Sequence, residues 1–298
     1  MKLITYIRDG NARLGAVDGK RVVDLNDADS SIPNNLVDAL ERFEDLTIAA
    51  RAAMERGGTS LPLVGCHLAP AAPRPGKILC LGLNFVDHAK EGGLAAPDHP
   101  SVFMRGASSL VGHEQPVVRP HVSDKFDFEA ELAVIVGRRA RYVSRARALE
   151  HVFGYACFND ISVRDYQMRS PTWTVGKNFD ATGAFGPWIV TADELPPGAA
   201  GLQIQLRLNG VVEQNANTSD MIVDVPAAIE YLSEAMTLEP GDVIAMGTPS
   251  GIGGARRPPL WLKPGDQVEV EIDRVGVLRN LIIDEVRTGA PATLVGAN

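Results

Sequence analysis

In the stretch KFDFEAELAVIVG, Lys125 to Gly137, carboxylates recur at alternate positions as Asp127, Glu129 and Glu131. Side chains two apart on a strand leave the same face, ~6.6–6.8 Å apart along the backbone, so Glu129 and Glu131 can aim at one point. Phe126, Phe128, Ala130 and Leu132 make the opposite face, and the acidic face itself turns apolar at Ala133 and Ile135. A solvated strand face would carry the same acids. A strand that becomes apolar on both sides runs into the core instead, where clustered carboxylates repel unless a cation compensates. Coordination by carboxylates and water suits a hard divalent ion, Mg²⁺ or Mn²⁺.

A third ligand should come from a neighbouring strand, and CFNDISVRD supplies Asp160 after an apolar run, with Arg164, Asp165 and Gln167 close behind. A turn or capping aspartate would look the same. In NFVDHAKEGG, His88 and Glu91 stand three apart, on one side of a helical turn. A carboxylate beside an imidazole fixes its tautomer and raises its basicity, as a general base requires, although a surface helix could carry the same pair idly. WTVGKNFD sets Lys177 among apolar and aromatic residues, where its ammonium either pairs with an acid such as Asp180 or serves a substrate anion. GTPSGIG, Gly247 to Gly253, lacks the Gly-Lys-Ser/Thr ending of a phosphate loop, yet offers backbone N–H groups and the Thr248 hydroxyl as a carboxylate cradle.

The elements that must position these groups are mostly strands. Leu3 to Ile7, Arg13 to Val17 and RVVDL alternate as strands, and a helical stretch follows from about Leu36 to Arg56, which together suggest a small α/β unit. The Pro-rich LAPAAPRPGK restricts φ and marks a boundary, placing an N-terminal domain over 1–72 and the main domain over 73–298. Beyond it KILCLGLN, Ser101 to Arg105 and GYACFNDIS read as strands, FVDHAKEGG as a helical turn or two ended by Gly92 and Gly93, and Arg147 to Val152 as helical. From Trp188 onward PWIVT, LQIQLRLNG, DVIAMG, DQVEVEI and VLRNLII are strands, interrupted by helical spacing over Pro226 to Met236. So many strands with few long helices predict a mainly β (α+β) domain, closed or rolled, rather than an alternating α/β sheet.

The 298 residues are 45% apolar, enough for a sizeable core, and the formal net charge of -8 offers no basic cluster dense enough to track nucleic acid. No apolar run approaches the roughly 18 residues of a membrane span. Cys66, Cys80 and Cys157 lack metal-type spacing, so reduced, mostly buried thiols in a cytoplasmic protein are expected.

The order of the pieces carries more than any one of them. His-x-x-Glu after GLN, DFEAELAVIVG, GYACFNDISVRDYQ, WTVGKNFDATGAFGPWIV and LEPGDVIAMGTPSGIG together resemble the fumarylacetoacetate hydrolase family, over roughly Lys77 to Ile283. That resemblance implies a mixed β-roll catalytic domain, usually a homodimer, with a variable N-terminal domain. It implies Glu129, Glu131 and Asp160 as ligands of Mg²⁺ or Mn²⁺, with Asp127 beside them and not ligating. It further implies His88 and Glu91 as the catalytic dyad, on a segment that in relatives can order as a lid. Lys177 would add positive charge to the reacting centre, and Gln167 and Thr248 would contact a keto acid. Where relatives often carry FxKP this chain has FMRGASS, so Arg105 stands for a substrate-contacting lysine and Gly106 for a proline, keeping the charge but changing its reach. The implied reaction is metal-dependent hydrolysis of a carbon–carbon bond in an acylpyruvate or diketo acid, through an enolate whose charge the metal offsets, with His88 and Glu91 activating water. The same site could decarboxylate an oxaloacetate-type acid or isomerise a hydroxymuconate. A non-catalytic binding protein would have lost the acids or the dyad, and both are present. The expected partner is a small keto acid, with neither nucleic acid nor membrane.

Overall fold

Strand Ala130–Val136 is buried along its whole length, and its alternation sorts side chains between two cores. Leu132 and Val134 pack into one with Tyr155, Cys157, Ile204 and Leu278, while Ala133 and Ile135 enter the other with Leu3, Leu36, Cys80 and Phe185. The computed structural model describes residues 1–91 and 99–286. In it Ala130–Val136 pairs antiparallel with Val152–Asp160 on one side and Val243–Ala245 on the other. These strands belong to a twelve-stranded sheet whose main path runs, in order, through Ser60–Pro62, Arg21–Asp24, Asn11–Asp18, Lys2–Arg8, Gly183–Thr191, Val152–Asp160, Ala130–Val136, Val243–Ala245, Ile78–Gly82 and Ser101–Arg105, with His67–Leu68 and Leu110–Val111 pairing beside Lys2–Arg8 and Gly183–Thr191. The N-terminal strands continue the sheet through Lys2↔Val190 and Leu3↔Ile189. A five-stranded sheet built on Gln203–Leu208, Val211–Asn217, Gln267–Ile272, Gly276–Asp284 and Val117–Arg119 adds Ile204, Leu206, Val268 and Val270 to the first core. The fold is mainly β, as expected.

Two expectations change in detail. The helical stretch from Leu36 to Arg56 is two helices, Leu36–Arg42 and Leu46–Arg56, because Phe43 turns extended and both Asn35 and Asp45 cap with their side chains. The stretch Lys125 to Gly137 is not one ladder: Phe126–Asp127 pairs with Ser162–Val163, and pairing resumes at Ala130. At the break, the Glu129 N–H donates to Asn159 Oδ1 at 3.0 Å and the Glu129 carbonyl accepts from Asp160 N–H at 2.9 Å, so the backbone stays satisfied while Glu129 swings free of the ladder. The helix expected over Pro226 to Met236 spans Val225–Ala235, capped by Asp224 and buried along Val225, Ala228, Ile229 and Leu232. The glycine stop at Gly92 and Gly93 lies outside the described residues.

Candidate active site

Glu129 from the break, Glu131 from the strand and Asp160 from the end of the neighbouring strand bring carboxylate oxygens within 4.8 Å of one another, all three buried. Burial of three like charges demands cations. The Lys177 ammonium lies 2.7 Å from Glu129 Oε2 and 2.5 Å from Asp160 Oδ2, the Arg164 guanidinium 2.6 Å from Glu129 Oε1, and the Arg105 guanidinium 2.5 Å from Asp160 Oδ1. Asp180, the acid nearest in sequence, is not the partner that Lys177 takes. Burial works to raise the Glu129 carboxyl, but Lys177 and Arg164 outweigh it and hold it down at about 2. Burial likewise works to discharge Lys177, and Asp160 and Glu129 reverse that, raising its affinity for its proton.

Glu131 is treated differently. It accepts the Gly247 N–H at 3.0 Å and has no ion pair among the described residues. Burial first, then the charges of Asp160 and Glu129, push its carboxyl well above the usual range. A set of three buried oxygen donors, one of which lacks a counterion, fits a hard divalent cation. Glu129, Glu131 and Asp160 are the residues that would hold it.

The dyad rides on helix Val86–Glu91. Asn84, just before it, donates its amide to the carbonyls of Val223 and Met246 and accepts the Val223 N–H, pinning the helix to two distant segments. His88 Nδ1 stands 3.4 Å from Glu91 Oε2, and the other Glu91 oxygen accepts the Gly251 N–H at 2.9 Å. With Nδ1 facing the carboxylate, Nε2 is the nitrogen left to exchange a proton. One cavity of about 370 Å³ is lined by His88, Glu91, Glu129, Glu131, Arg164, Gln167, Lys177 and Thr248. Seven of the nine residues singled out from the sequence, together with Arg164, therefore face one space. Asp160 is not among the lining residues and lies beneath Lys177, fully buried. Arg105 is placed differently from expectation. Its guanidinium, fully buried, spans Asp160, the Ile161 carbonyl, Thr182 and Ser109, and it does not line the cavity.

Of the residues that support the site, Asp127 stands where it was expected, beside the cluster and hydrogen-bonded. Asp127 accepts the N–H groups of Gly253, Gly254 and Phe128 and the Arg164 Nε at 2.7–2.9 Å, so one buried carboxylate ties the glycine loop to the guanidinium beside Glu129. Gln214 bonds the Ala130 N–H, the Thr248 hydroxyl and the Pro249 carbonyl. Spacing gives no sign of Gln214, which comes from the second sheet. Arg164 could have been found, since it sits between Asp160 and Gln167 in one short run.

The fumarylacetoacetate hydrolase C-terminal family profile matches residues 77–283, the segment that carries every one of these groups. The chain belongs to the fumarylacetoacetate hydrolase family. It is 38% identical over 267 residues to the human mitochondrial oxaloacetate tautomerase FAHD2A, covering 89% of this chain and 85% of that one. Among solved structures, fumarylacetoacetate hydrolase from psychrophilic Exiguobacterium antarcticum matches with a TM-score of 0.82 at 33% identity, covering 96% of this chain and 100% of that chain. Maleylpyruvate hydrolase from Sphingobium sp. SYK-6, in complex with manganese(II) ion and pyruvate, matches with a TM-score of 0.80 at 32% identity over the same shares. A 2-hydroxyhepta-2,4-diene-1,7-dioate isomerase from Mycobacterium marinum also matches, at 29% identity and a TM-score of 0.75, covering 96% of this chain and 99% of that chain. No helix among the described residues is long and apolar enough to cross a membrane.

Proposed function

We propose that this protein is a divalent-metal-dependent hydrolase of 2,4-dioxo acids of the acylpyruvate type. The observation that carries the reading is a His–Glu base facing, across one cavity, two acids of a buried three-carboxylate cluster, Glu129 and Glu131, with Asp160 just beneath, while the remaining polar groups of the cavity, Arg164, Gln167, Lys177 and Thr248, suit a carboxylate and its neighbouring carbonyl. Mg²⁺ or Mn²⁺ held by Glu129, Glu131 and Asp160 would supply Lewis-acid polarisation of the keto acid's oxygens. His88, oriented by Glu91, takes a proton from water, which adds to the C4 carbonyl. The C3–C4 bond then breaks, the acyl group leaves as a carboxylic acid, and the pyruvate enolate takes a proton at C3. Lys177 and Arg164 place positive charge where the enolate's negative charge grows. Gln167 and Thr248 orient the C1 carboxylate.

A second reading is supported by the identity to an oxaloacetate tautomerase. In it the same dyad moves a proton between C3 and the C2 oxygen of a four-carbon keto acid, and no water attacks. Mg²⁺- or Mn²⁺-loaded protein should release pyruvate from acetylpyruvate, and His88→Ala should lower that rate by about 10²-fold or more. No pyruvate release from any acylpyruvate, with enol-to-keto conversion of oxaloacetate retained and sensitive to His88→Ala, would replace the first reading with the second.

A further inference from the structure

The cavity has two chemically different ends. Its cations are Arg164 and Lys177, each committed near the acid cluster, Lys177 to Glu129 and Asp160 and Arg164 to Asp127 and Glu129, and its imidazole, His88, faces Glu91. The Arg164 Nη2 is buried without a hydrogen-bond partner, which leaves one donor for a substrate anion at that end. The Lys177 ammonium lies 5.1 Å from the Phe103 ring centroid, and there the polar end stops. Phe103 meets Trp173 edge to face at 5.7 Å, and Leu83, Met168, Ile252 and Trp261 complete the apolar lining. Among the described residues no further cation lines this cavity.

Trp173 is held in place at a cost. Its backbone is left-handed, φ 59°, a conformation that bulky side chains rarely adopt, and Leu83 on the same cavity is left-handed too, φ 57°. The six-membered ring of its indole closes on Gly82 through Cζ3 and Cη2, where a Cβ would come within 2.2 Å of it. Gly82 thus keeps open the space the indole fills.

We propose that Trp173, seated on Gly82, is a specificity-determining residue that selects substrates whose end remote from the C1 carboxylate is uncharged and apolar. A second carboxylate there would be buried against Phe103 and Trp173 with no cation among the described residues to pair it, whereas an alkyl or aryl acyl group gains contact with both rings. This rests on the 2,4-dioxo acid reading and names the class of acyl group within it.

The test compares kcat/KM of the Mn²⁺-loaded protein for straight-chain and aromatic acylpyruvates with that for 2,4-dioxo dicarboxylic acids of equal chain length. The wild type should favour the uncharged series by about tenfold or more. Trp173→Ala should lower the ratio of the uncharged to the dicarboxylate series by about tenfold, with Trp173→Phe keeping most of the original ratio. Trp173→Gly, which takes the left-handed backbone freely, serves if the alanine variant does not fold. Preference for the dicarboxylates, or an equal fall for all substrates in the Trp173 variants, overturns the proposal. Phenylpyruvate titrated against intrinsic fluorescence gives a reading that needs no turnover. Quenching present in the wild type and clearly smaller in Trp173→Phe, with Trp261 on the same cavity accounting for what remains, supports the proposal, and quenching unchanged in that variant overturns it. Absence of hydrolysis across both series with that quenching intact would sink the hydrolase reading while leaving the apolar end standing.

Discussion

The three acids of one short run have three different physical positions. Asp127 is fully hydrogen-bonded to backbone N–H groups and Arg164, Glu129 is ion-paired twice, and Glu131 has a single N–H. Removing Glu129 or Glu131 should abolish metal-dependent turnover, because each subtracts a donor from a three-carboxylate set. Asp127→Ala should instead lower kcat by about 10–100-fold, with Mn²⁺ still binding in a calorimetric titration, since it releases only the loop and guanidinium behind the site. Equal loss of Mn²⁺ binding in all three variants would contradict this division. Glu131→Gln separates charge from shape. In the metal-free protein it should raise Tm, because an uncompensated buried acid is gone, and it should erase the upward Tm shift that Mn²⁺ gives the wild type.

At the scale of elements, the N-terminal strands offer a separate check on buried charge. Asp24, fully buried, accepts from Tyr6 Oη, from Arg13 Nε and Nη2 and from the Asp27 N–H at 2.5–2.9 Å. Burial works against its charge, yet the Arg13 and Tyr6 hydrogen bonds outweigh burial and hold its carboxyl below the usual range. Asp24→Ala should cost about 2 kcal/mol in urea unfolding at neutral pH, because the buried Tyr6 hydroxyl and the Asp27 N–H lose their acceptor, while the part-exposed Arg13 keeps only Asp27. Because the folded value is the lower one, that contribution is present above the unfolded value of about 3.9 and disappears as pH falls through the folded one. A cost that stays the same from pH 7 down to acid unfolding would refute it. Most strands and the helix Val225–Ala235 were legible, because alternation and helical spacing are local signals. Glu129, Glu131, Asp160, His88 and Glu91 could be singled out by type and spacing, but each had an ordinary alternative, and it was the order of the motifs, through the family resemblance, that gave them roles; the structure brings four of them onto one cavity with Asp160 beneath it. What local pattern could not carry was pairing across distance. The break at Phe128 and Glu129 depends on Asn159 and Asp160, the Lys2↔Val190 register joins strands far apart in the sequence, and Arg105 turns inward because Asp160 and Thr182 await it there.

For the molecule as a whole, two acids of one cluster pull stability in opposite directions as pH changes. Glu129 is held down at about 2 in the folded chain, so its ion pairs contribute above the unfolded value of about 4.3 and are lost as pH falls toward 2. Glu131 is raised, so between about 4.3 and its folded value the folded state keeps a proton that the unfolded chain has released. Stability of the metal-free protein therefore falls as pH rises through that window. A divalent cation competes for the same oxygens with that proton, so its binding should release about one proton and remove the alkaline-side loss. Tm measured from about pH 4 to pH 9 in EDTA should pass through a maximum on the acid side of neutrality, and with saturating Mg²⁺ or Mn²⁺ the decline above that maximum should flatten. Glu131→Gln in EDTA should lose the alkaline decline and keep the acid one. A wild-type profile in EDTA that matches the metal-loaded one across the range would show that Glu131 is compensated from within the chain, and the three carboxylates would then have no need of a cation.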